Sequence, residues 1–140
     1  MSSNLQNAIR EQSAVQKRVA NAAIVMGNIY CDDLHTAVEF YRELLQLPEG
    51  MHLTDSSCYF PMANSTGLFI ESGYPKKEIA ETDARTTFTI KVDSAKKFHT
   101  KLVKKKVRVV QMQPMQMSDE IYWFQFFDPA GNLVEILGGV

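Results

Sequence analysis

Histidine and cysteine, the side chains most often used in nucleophilic and metal chemistry, are scarce in this sequence. The three histidines lie on three predicted elements: His35 and His99 on two different helices and His52 at the start of a strand. Cys58 lies on a predicted strand without a histidine beside it, so we expect a small buried apolar residue rather than a catalytic thiol. With Cys31 as the only other cysteine, the chain has no disulfide scaffold, which favours reduced thiols in a cytoplasmic protein.

The most distinctive chemical pattern is a tight turn followed by an acid near the C-terminus. Residues 128–132 read Asp-Pro-Ala-Gly-Asn, where Asp and Pro start the turn and Gly131 tolerates a positive φ. The strand after the turn carries Glu135. In a buried, apolar setting such a carboxyl has a raised pKa and can serve as a general acid or base. It can equally pair with a cationic ligand, or be a structural acid that is hydrogen-bonded to Lys91 or Gln125.

The first half of the chain predicts a strand, a helix and three further strands. Residues 22–31 are rich in β-branched side chains and poor in charge, which favours a strand. Asp32 or Asp33 can cap a helix, which Pro48 and Gly50 end. The apolar residues of that helix recur every three or four positions: Leu34, Ala37, Val38, Tyr41, Leu44 and Leu45. Three β-like runs follow at 51–54, 57–63 and 67–72, and 73–84 is a polar loop or linker.

The same order of elements then starts again. Residues 86–92 alternate as a strand, and Asp93 or Ser94 can cap a second helix. Its apolar face comprises Ala95, Phe98, Leu102 and Val103. Three more strands are predicted at 107–113, 120–127 and 132–137. A shift of about 61 residues superimposes the apolar faces of the two helices, so the sequence predicts an internal duplication.

Composition limits the partners of this protein. The chain has 140 residues, enough for one domain, and a formal charge of −1, which gives no overall field to attract nucleic acid or an anionic membrane. No apolar run approaches the roughly 20 residues that span a bilayer. Residues 104–106 are three lysines that most simply complement the dipole of the second helix. Residues 4–20 favour a helix, which is either a native surface helix or a cleaved targeting signal.

Two motifs resemble the vicinal oxygen chelate superfamily, which includes glyoxalases, bleomycin resistance proteins and extradiol dioxygenases. The segment from Cys31 to Leu45 resembles the start of that family, and Phe126 to Glu135 resembles its characteristic ending. The resemblance covers about residues 22–138. It implies an α+β fold in which two βαβββ modules, about 22–73 and 85–138, form a half-open eight-stranded sheet around a cup. Residues 1–21 would be a helical extension to this single domain of residues 22–140.

The resemblance also implies where metal-dependent members place their ligands. Carried over by spacing, the four equivalent positions are Met26, Glu71, Thr87 and Glu135. Histidine or glutamine is usual at the positions of Met26 and Thr87 in those relatives. Because thioether and hydroxyl groups suit hard divalent cations poorly, we expect no catalytic metal and no other cofactor. An alternative is that a partner subunit completes the ligand set.

Strand alternation extends the candidate site around the cup. We expect Glu135 and Glu71 to be the acids available for catalysis. The predicted ligand-binding residues are Met26, Asn28, Phe69, Thr87, Thr89, Lys91, Trp123, Gln125 and Phe127, with Tyr59 as a further candidate for the wall. Aromatic walls suit a flat or apolar small molecule. The methionine-rich segment 111–119 is a candidate lid over the cup or a partly buried surface loop.

Two classes of function remain open at this point. The first is a metal-free protein that binds a small molecule, as bleomycin resistance proteins do. The second is a glyoxalase-like lyase, isomerase or dioxygenase that acts on a carbonyl compound, through glutamate-mediated proton transfer or through a metal completed by a partner. In either case a homodimer is expected, because a half-open cup exposes apolar surface and strand edges.

Overall fold

Two copies of one β-α-β-β-β arrangement make up the computed structural model, which describes residues 4–7, 24–78 and 86–140, with the backbone alone at Thr86 and Thr87. The first module consists of β1 (Met26–Cys31), α1 (Leu34–Leu44), β2 (Met51–Thr54), β3 (Ser57–Met62) and β4 (Thr66–Ser72). The second consists of β5 (Thr86–Ser94), α2 (Ala95–Lys104), β6 (Met115–Gln116), β7 (Tyr122–Phe127) and β8 (Leu133–Gly139). The predicted α+β class and its two similar modules are confirmed.

Each module forms its own four-stranded sheet, and the two sheets have the same topology. The strand orders are β1-β4-β3-β2 and β5-β8-β7-β6. The first and last strands of each module pair in parallel, and the other pairs are antiparallel. Residues 4–7 are helical; the rest of the helix predicted for 4–20 lies outside the described residues. Within the described chain, no helix combines the length and apolar character needed to cross a membrane.

The two helices begin at side-chain caps, as predicted. The carboxylate of Asp33 accepts a hydrogen bond from the backbone N–H of Thr36, and the hydroxyl of Ser94 accepts one from Lys97. The buried face of α1 consists of Ala37, Val38, Tyr41 and Leu44. On α2 the prediction was wrong for Val103, which is 51% exposed.

His99 takes the place on the buried face of α2 that was predicted for Val103. Its ring packs edge-on against Phe124 with the centroids 4.8 Å apart. Its Nε2 atom lies 2.8 Å from the carbonyl oxygen of Gln111, so the polar ring is satisfied inside an apolar layer. A search for apolar periodicity alone misses a histidine used in this way.

Alternation along the strands separates a helix-covered face from the opposite face, called here the open face. On β1, Ile29 and Cys31 are buried, whereas Met26, Asn28 and Tyr30 are exposed. On β5, Ile90 is buried and Thr89 and Lys91 are exposed. The predicted parity of both strands is therefore confirmed, because the residues expected at the cup are those that point away from the helices.

The strand predicted at 107–113 is wrong in both position and length. Residues 108–110 pair only briefly with β7, through the N–H of Val110 to the carbonyl of Gln125 and the N–H of Phe127 to the carbonyl of Arg108. The chain then leaves the sheet and returns as the two-residue strand β6. The physical reason lies at Gln111. Its side-chain oxygen, rather than the backbone carbonyl of a neighbouring strand, accepts the N–H of Gln125 on β7.

The turn between β7 and β8 fastens the second module to the first. Asp128 is only 4% exposed. Its carboxylate accepts hydrogen bonds from the Tyr41 hydroxyl (2.7 Å), from the N–H groups of Ala130 and Asn132 (3.0 and 2.7 Å) and from Nδ2 of Asn132 (2.9 Å). The same Nδ2 donates to the carbonyl oxygen of Tyr30 on β1 (2.9 Å). Gly131 adopts a φ of 87°, as the turn requires.

Burial raises the pKa values of Asp128 and Tyr41, the pair that joins the modules. Desolvation raises the pKa of Asp128, although the hydrogen bonds from Asn132, Tyr41 and Ala130 oppose the rise. Burial, followed by the charge of Asp128, raises the pKa of Tyr41 well above its usual value. The tyrosine hydroxyl therefore stays protonated and remains the donor.

Asp128→Asn tests both the hydrogen bonds and the raised pKa. Because the asparagine amide nitrogen cannot accept the hydrogen bond from Asn132 Nδ2, we expect the variant to be less stable than wild type by about 1–2 kcal/mol above the folded-state pKa, where wild type is ionised. The folded state of wild type holds the Asp128 proton more tightly than the unfolded chain does, so wild-type stability falls as pH rises from 3.8 through the folded-state pKa. The difference between the two proteins in the free energy of unfolding, measured with urea, therefore narrows as pH rises. Asp119→Asn, which removes an exposed loop acid, is the control, and a difference that widens with pH contradicts a raised pKa of Asp128 in the folded state.

Candidate functional site

The best-defined polar group on the open face lies in the second sheet, around Glu135. Thr89, Glu135 and Gln125 are neighbours across β5, β8 and β7. The Thr89 hydroxyl donates to Oε1 of Glu135 at 3.0 Å, and Nε2 of Gln125 donates to Oε2 at 3.4 Å. The carboxylate is therefore held from two sides by strands, which fix its direction better than loops would. Of the two partners suggested from sequence, Gln125 is in place.

Gln111 orients Gln125 by two hydrogen bonds from the edge of the sheet. Its Oε1 accepts the backbone N–H of Gln125 at 2.6 Å, and its Nε2 donates to the side-chain oxygen of Gln125 at 3.1 Å. Its own carbonyl oxygen contacts Nε2 of His99. The amide plane of Gln125 is thus set so that its nitrogen points to Glu135. Sequence reasoning did not single out Gln111, and only its position between two short pairing segments signals this role.

The first sheet carries a matching but less polar row on its open face. Asn28, Phe69, Tyr59 and Met51 are neighbours across β1, β4, β3 and β2. A shift of 61 residues places Asn28 on Thr89, so the residue that corresponds to Glu135 by register is Phe69. Glu71 lies two pairs further along, opposite Tyr30. The equivalence of Glu71 and Glu135 inferred from spacing is therefore not the one that the register gives.

A cavity of about 340 Å³, called here the seam cavity, lies where the edges of β1 and β5 meet. The ring of Phe88 packs against Gly27, where an added Cβ would lie 3.4 Å from it. The cavity brings together three predicted site residues, Met26, Thr89 and Lys91. Its remaining lining is mostly apolar and comprises Ile24, Val25, Gly27, Met62, Ala63, Asn64, Thr66, Gly67, Leu68, Phe88 and Ile90.

The other predicted site residues lie outside the lining of the seam cavity. Trp123 is half-buried in a row with Lys91, Leu137 and Met115 across the second sheet. Phe127 is only 6% exposed, and the guanidinium of Arg108 lies 5.5 Å from the centroid of its ring. Asn28 and Phe69 lie on the first sheet, and the side chain of Thr87 is not among those described, so its part in the site stays a prediction.

The donor set does not fit a resident metal ion. Across residues 4–7, 24–78 and 86–140, no three His, Cys, Asp or Glu side chains come close enough together to hold one. Of the four positions carried over by spacing, only Glu71 and Glu135 carry a carboxylate, and Glu71 lies two residues beyond the register counterpart of Glu135. The Glu135 carboxylate already accepts hydrogen bonds from Thr89 and Gln125. A hard divalent cation needs several oxygen or imidazole donors in one place.

Methionines surround the open face at its outer edges. Met51 lies on the edge strand β2, and Met115 lies on the opposite edge strand β6. Met112 and Met117, on either side of β6, are also exposed. Gln111 anchors the start of the segment 111–119, and the pairing of Met115 and Gln116 with β7 holds its middle. Its role as a lid stays a prediction.

Comparison with known proteins agrees with this architecture. A family model for the Glyoxalase/Bleomycin resistance protein/Dioxygenase superfamily matches residues 21–136. Among solved structures, a lactoylglutathione lyase from Agrobacterium tumefaciens is 21% identical, with 86% of this chain and 96% of that one covered and a TM-score of 0.62. A putative glyoxalase family protein from Bacillus anthracis is 16% identical, with 87% and 98% covered and a TM-score of 0.65.

A third solved structure is the fosfomycin resistance protein FosX from Listeria monocytogenes, in a complex with Mn(II) and a sulfate ion. It is 14% identical, with 87% of this chain and 93% of that one covered and a TM-score of 0.64. At these identities the likeness shows the fold. Comparison with proteins of curated function gives no match.

Gln111→Leu tests the link between the sheet edge and Glu135. Leucine fills a similar volume but makes neither hydrogen bond, so we expect a loss of about 1–2 kcal/mol in the free energy of unfolding. The Gln125 amide should also exchange faster with solvent, and its side-chain NH₂ resonances should shift. Gln113→Leu, a change at an exposed position in the same segment, is the matched control. Equal effects of the two substitutions on stability and on the Gln125 resonances would show that the two hydrogen bonds of Gln111 do not orient Gln125.

Proposed function

The chain belongs to the glyoxalase/bleomycin resistance protein/dioxygenase superfamily, and from this premise we propose that it binds a small, mainly apolar molecule in the seam cavity without a metal ion. The observation that carries the proposal is that the seam cavity contains Met26, Thr89 and Lys91 in an otherwise apolar wall. Its volume lies near the lower end of the roughly 300–1,000 Å³ that small-molecule sites occupy.

Apolar burial would supply most of the affinity. Side chains such as Ile24, Val25 and Met26 are exposed at the cavity, and Phe88 lies against its floor at Gly27. A ligand that covers these side chains removes their apolar surface from water, which is favourable by about 25 cal/mol per Å² before the costs of association are counted.

The polar groups at the seam cavity favour a ligand with an acceptor or an anionic group. Within the described part of the chain, the Lys91 ammonium has no ion-pair partner. Thr89 already donates its hydroxyl proton to Glu135, so its oxygen is left as an acceptor. A small carboxylic acid with an apolar body would place its charge near Lys91 and its body against the apolar wall.

A catalytic function is the second candidate, and the geometry of Glu135 favours it. Thr89 joins the two features, because it lines the seam cavity and hydrogen-bonds to Glu135. A carboxylate held in this way could take a proton from a carbonyl compound bound in the cavity. One neighbour of similar fold is a lactoylglutathione lyase, which agrees with a proton-transfer reaction but does not assign one to this chain.

The homodimer and the cytoplasmic location inferred from sequence remain proposals. The dimer is supported by the edge strand β2, whose residues are all exposed and include Met51 and Leu53. An edge strand of this kind is suited to pairing with another chain.

Met26→Trp tests the seam cavity as the binding site. We expect small aromatic and aliphatic carboxylic acids, screened by thermal shift, to stabilise wild type more than their neutral esters do. In amide NMR spectra the shifts should centre on residues 24–27 and 88–91. Tryptophan at position 26 fills the cavity, so binding should weaken at least about tenfold while the melting temperature without ligand stays near that of wild type.

Met112→Trp is the matched control, because residue 112 is exposed and lies outside the lining of the cavity. Shifts that map elsewhere, or a Met26→Trp protein that binds as wild type does, would contradict the proposed site. A stoichiometric metal ion in the purified protein, with ligand binding lost when the metal is chelated, would contradict the proposal that binding needs no metal ion.

Glu135→Gln separates the two functions. If the protein is an enzyme that uses Glu135 for proton transfer, the variant should keep ligand affinity within a few-fold and lose turnover by about 100-fold or more. Turnover of candidate carbonyl compounds is followed by NMR for wild type and variant under the same conditions. Equal turnover by both proteins excludes Glu135 as the base; binding without turnover by wild type favours the binding protein.

A further inference from the structure

A second concave site lies away from the seam cavity, between the C-terminal end of α2 and the end of β7. It has a volume of about 330 Å³. Four cationic residues line it, Lys76, Lys105, Lys106 and Arg108, and these residues define what is called here the basic cleft. Its other lining residues are Phe40, Val107, Phe127, Asp128 and Pro129.

The three lysines of the basic cleft outnumber the acids in its lining. The one acid in the lining is Asp128, whose oxygens already accept hydrogen bonds from Tyr41, Ala130 and Asn132. Outside the lining, Glu43 lies 3.7 Å from Lys105, an exposed pair of the kind that holds its partners weakly. Since the whole chain carries a charge of −1, this concentration of cations is a local feature.

The main chain holds the cations of the basic cleft in place. The turn after α2 is closed by hydrogen bonds from the N–H groups of Lys106 and Val107 to the carbonyls of Val103 and Leu102. Lys106 itself has a φ of 59°, a left-handed conformation that non-glycine residues rarely adopt.

Two further contacts place the remaining cations. The carbonyl of Arg108 accepts the N–H of Phe127, and its guanidinium lies over the Phe127 ring. Next to Lys76, the N–H of Lys77 donates to the carbonyl of Ala130. The backbones that carry the charges are therefore fixed before any ligand arrives, which lowers the entropic cost of binding.

We propose that the basic cleft binds a small multivalent oxyanion, of the diphosphate or polycarboxylate class. A concave site lined by three lysines, Lys76, Lys105 and Lys106, suits several negative oxygens close together, since each lysine is a point charge with three donors. Phe127 is buried beneath Arg108, so stacking of a flat ring contributes little and charge dominates recognition. The cations share one concavity rather than forming a stripe, which favours a compact anion over nucleic acid.

The proposal is tested with inorganic pyrophosphate and with citrate as separate probes, each titrated into the full chain at low ionic strength. We expect amide NMR shifts centred on residues 76 and 105–108 that saturate at millimolar concentration or below. Added salt should weaken binding, because exposed charges are screened over about 10 Å at 0.1 M. The probe that binds more tightly distinguishes a diphosphate from a polycarboxylate.

Lys105→Gln/Lys106→Gln is the test variant and Lys96→Gln/Lys97→Gln the matched control, which removes two charges elsewhere on α2. The test variant should bind about tenfold or more weakly, whereas the control should bind as wild type does. Both variants change exposed residues, and their melting temperatures confirm that they fold. Equal weakening in the two variants, shifts spread over all lysines, or no saturable shift would overturn the proposal, as would preference for single-stranded DNA over both probes.

Discussion

The buried carboxylate of Asp128 is the constraint on which the arrangement of the two modules depends. It joins the turn before β8 to the middle of α1 through Tyr41, while Asn132 links that turn to β1. An apolar layer, in which Phe40 and Phe88 pack against the cores of both modules, completes the joint. The walls of the seam cavity come from both modules, so its shape is a consequence of this joint. An unpaired charge in the same place would be costly, and the four hydrogen bonds are what make its burial tolerable.

The parts of the fold that sequence predicted are those governed by local rules. Helix starts at Asp33 and Ser94, the apolar face of α1 and the alternation of β1 and β5 each depend on residues close together in the chain. The edge of the second sheet could not be predicted in this way. There the side chain of Gln111 replaces a backbone partner of β7, and nothing in a window of neighbouring residues distinguishes that arrangement from a strand.

The candidate site shows the same division between local and long-range information. The spacing of the superfamily's ending suggested that Glu135 and Gln125 share one face, and Gln125 was one of two partners suggested for Glu135. The counterpart of Glu135 in the first module could not be inferred in this way, because it depends on the register between β1 and β4, which the intervening turns determine. That register places Phe69 where spacing suggested Glu71. The first module thus contributes an aromatic side chain where the second contributes an acid, and the pseudo-symmetric fold supports an asymmetric site.

The exposed methionines give the outer edges of both sheets a sensitivity to oxidants. Met51 on β2 and Met115 on β6 are about half exposed, and Met112 and Met117 are more so. Conversion of a thioether to a sulfoxide makes a flexible apolar side chain polar and chiral. An oxidised chain would keep its core, since none of these side chains is buried, but it would present hydrophilic rims to whatever molecule or second chain approaches the open face.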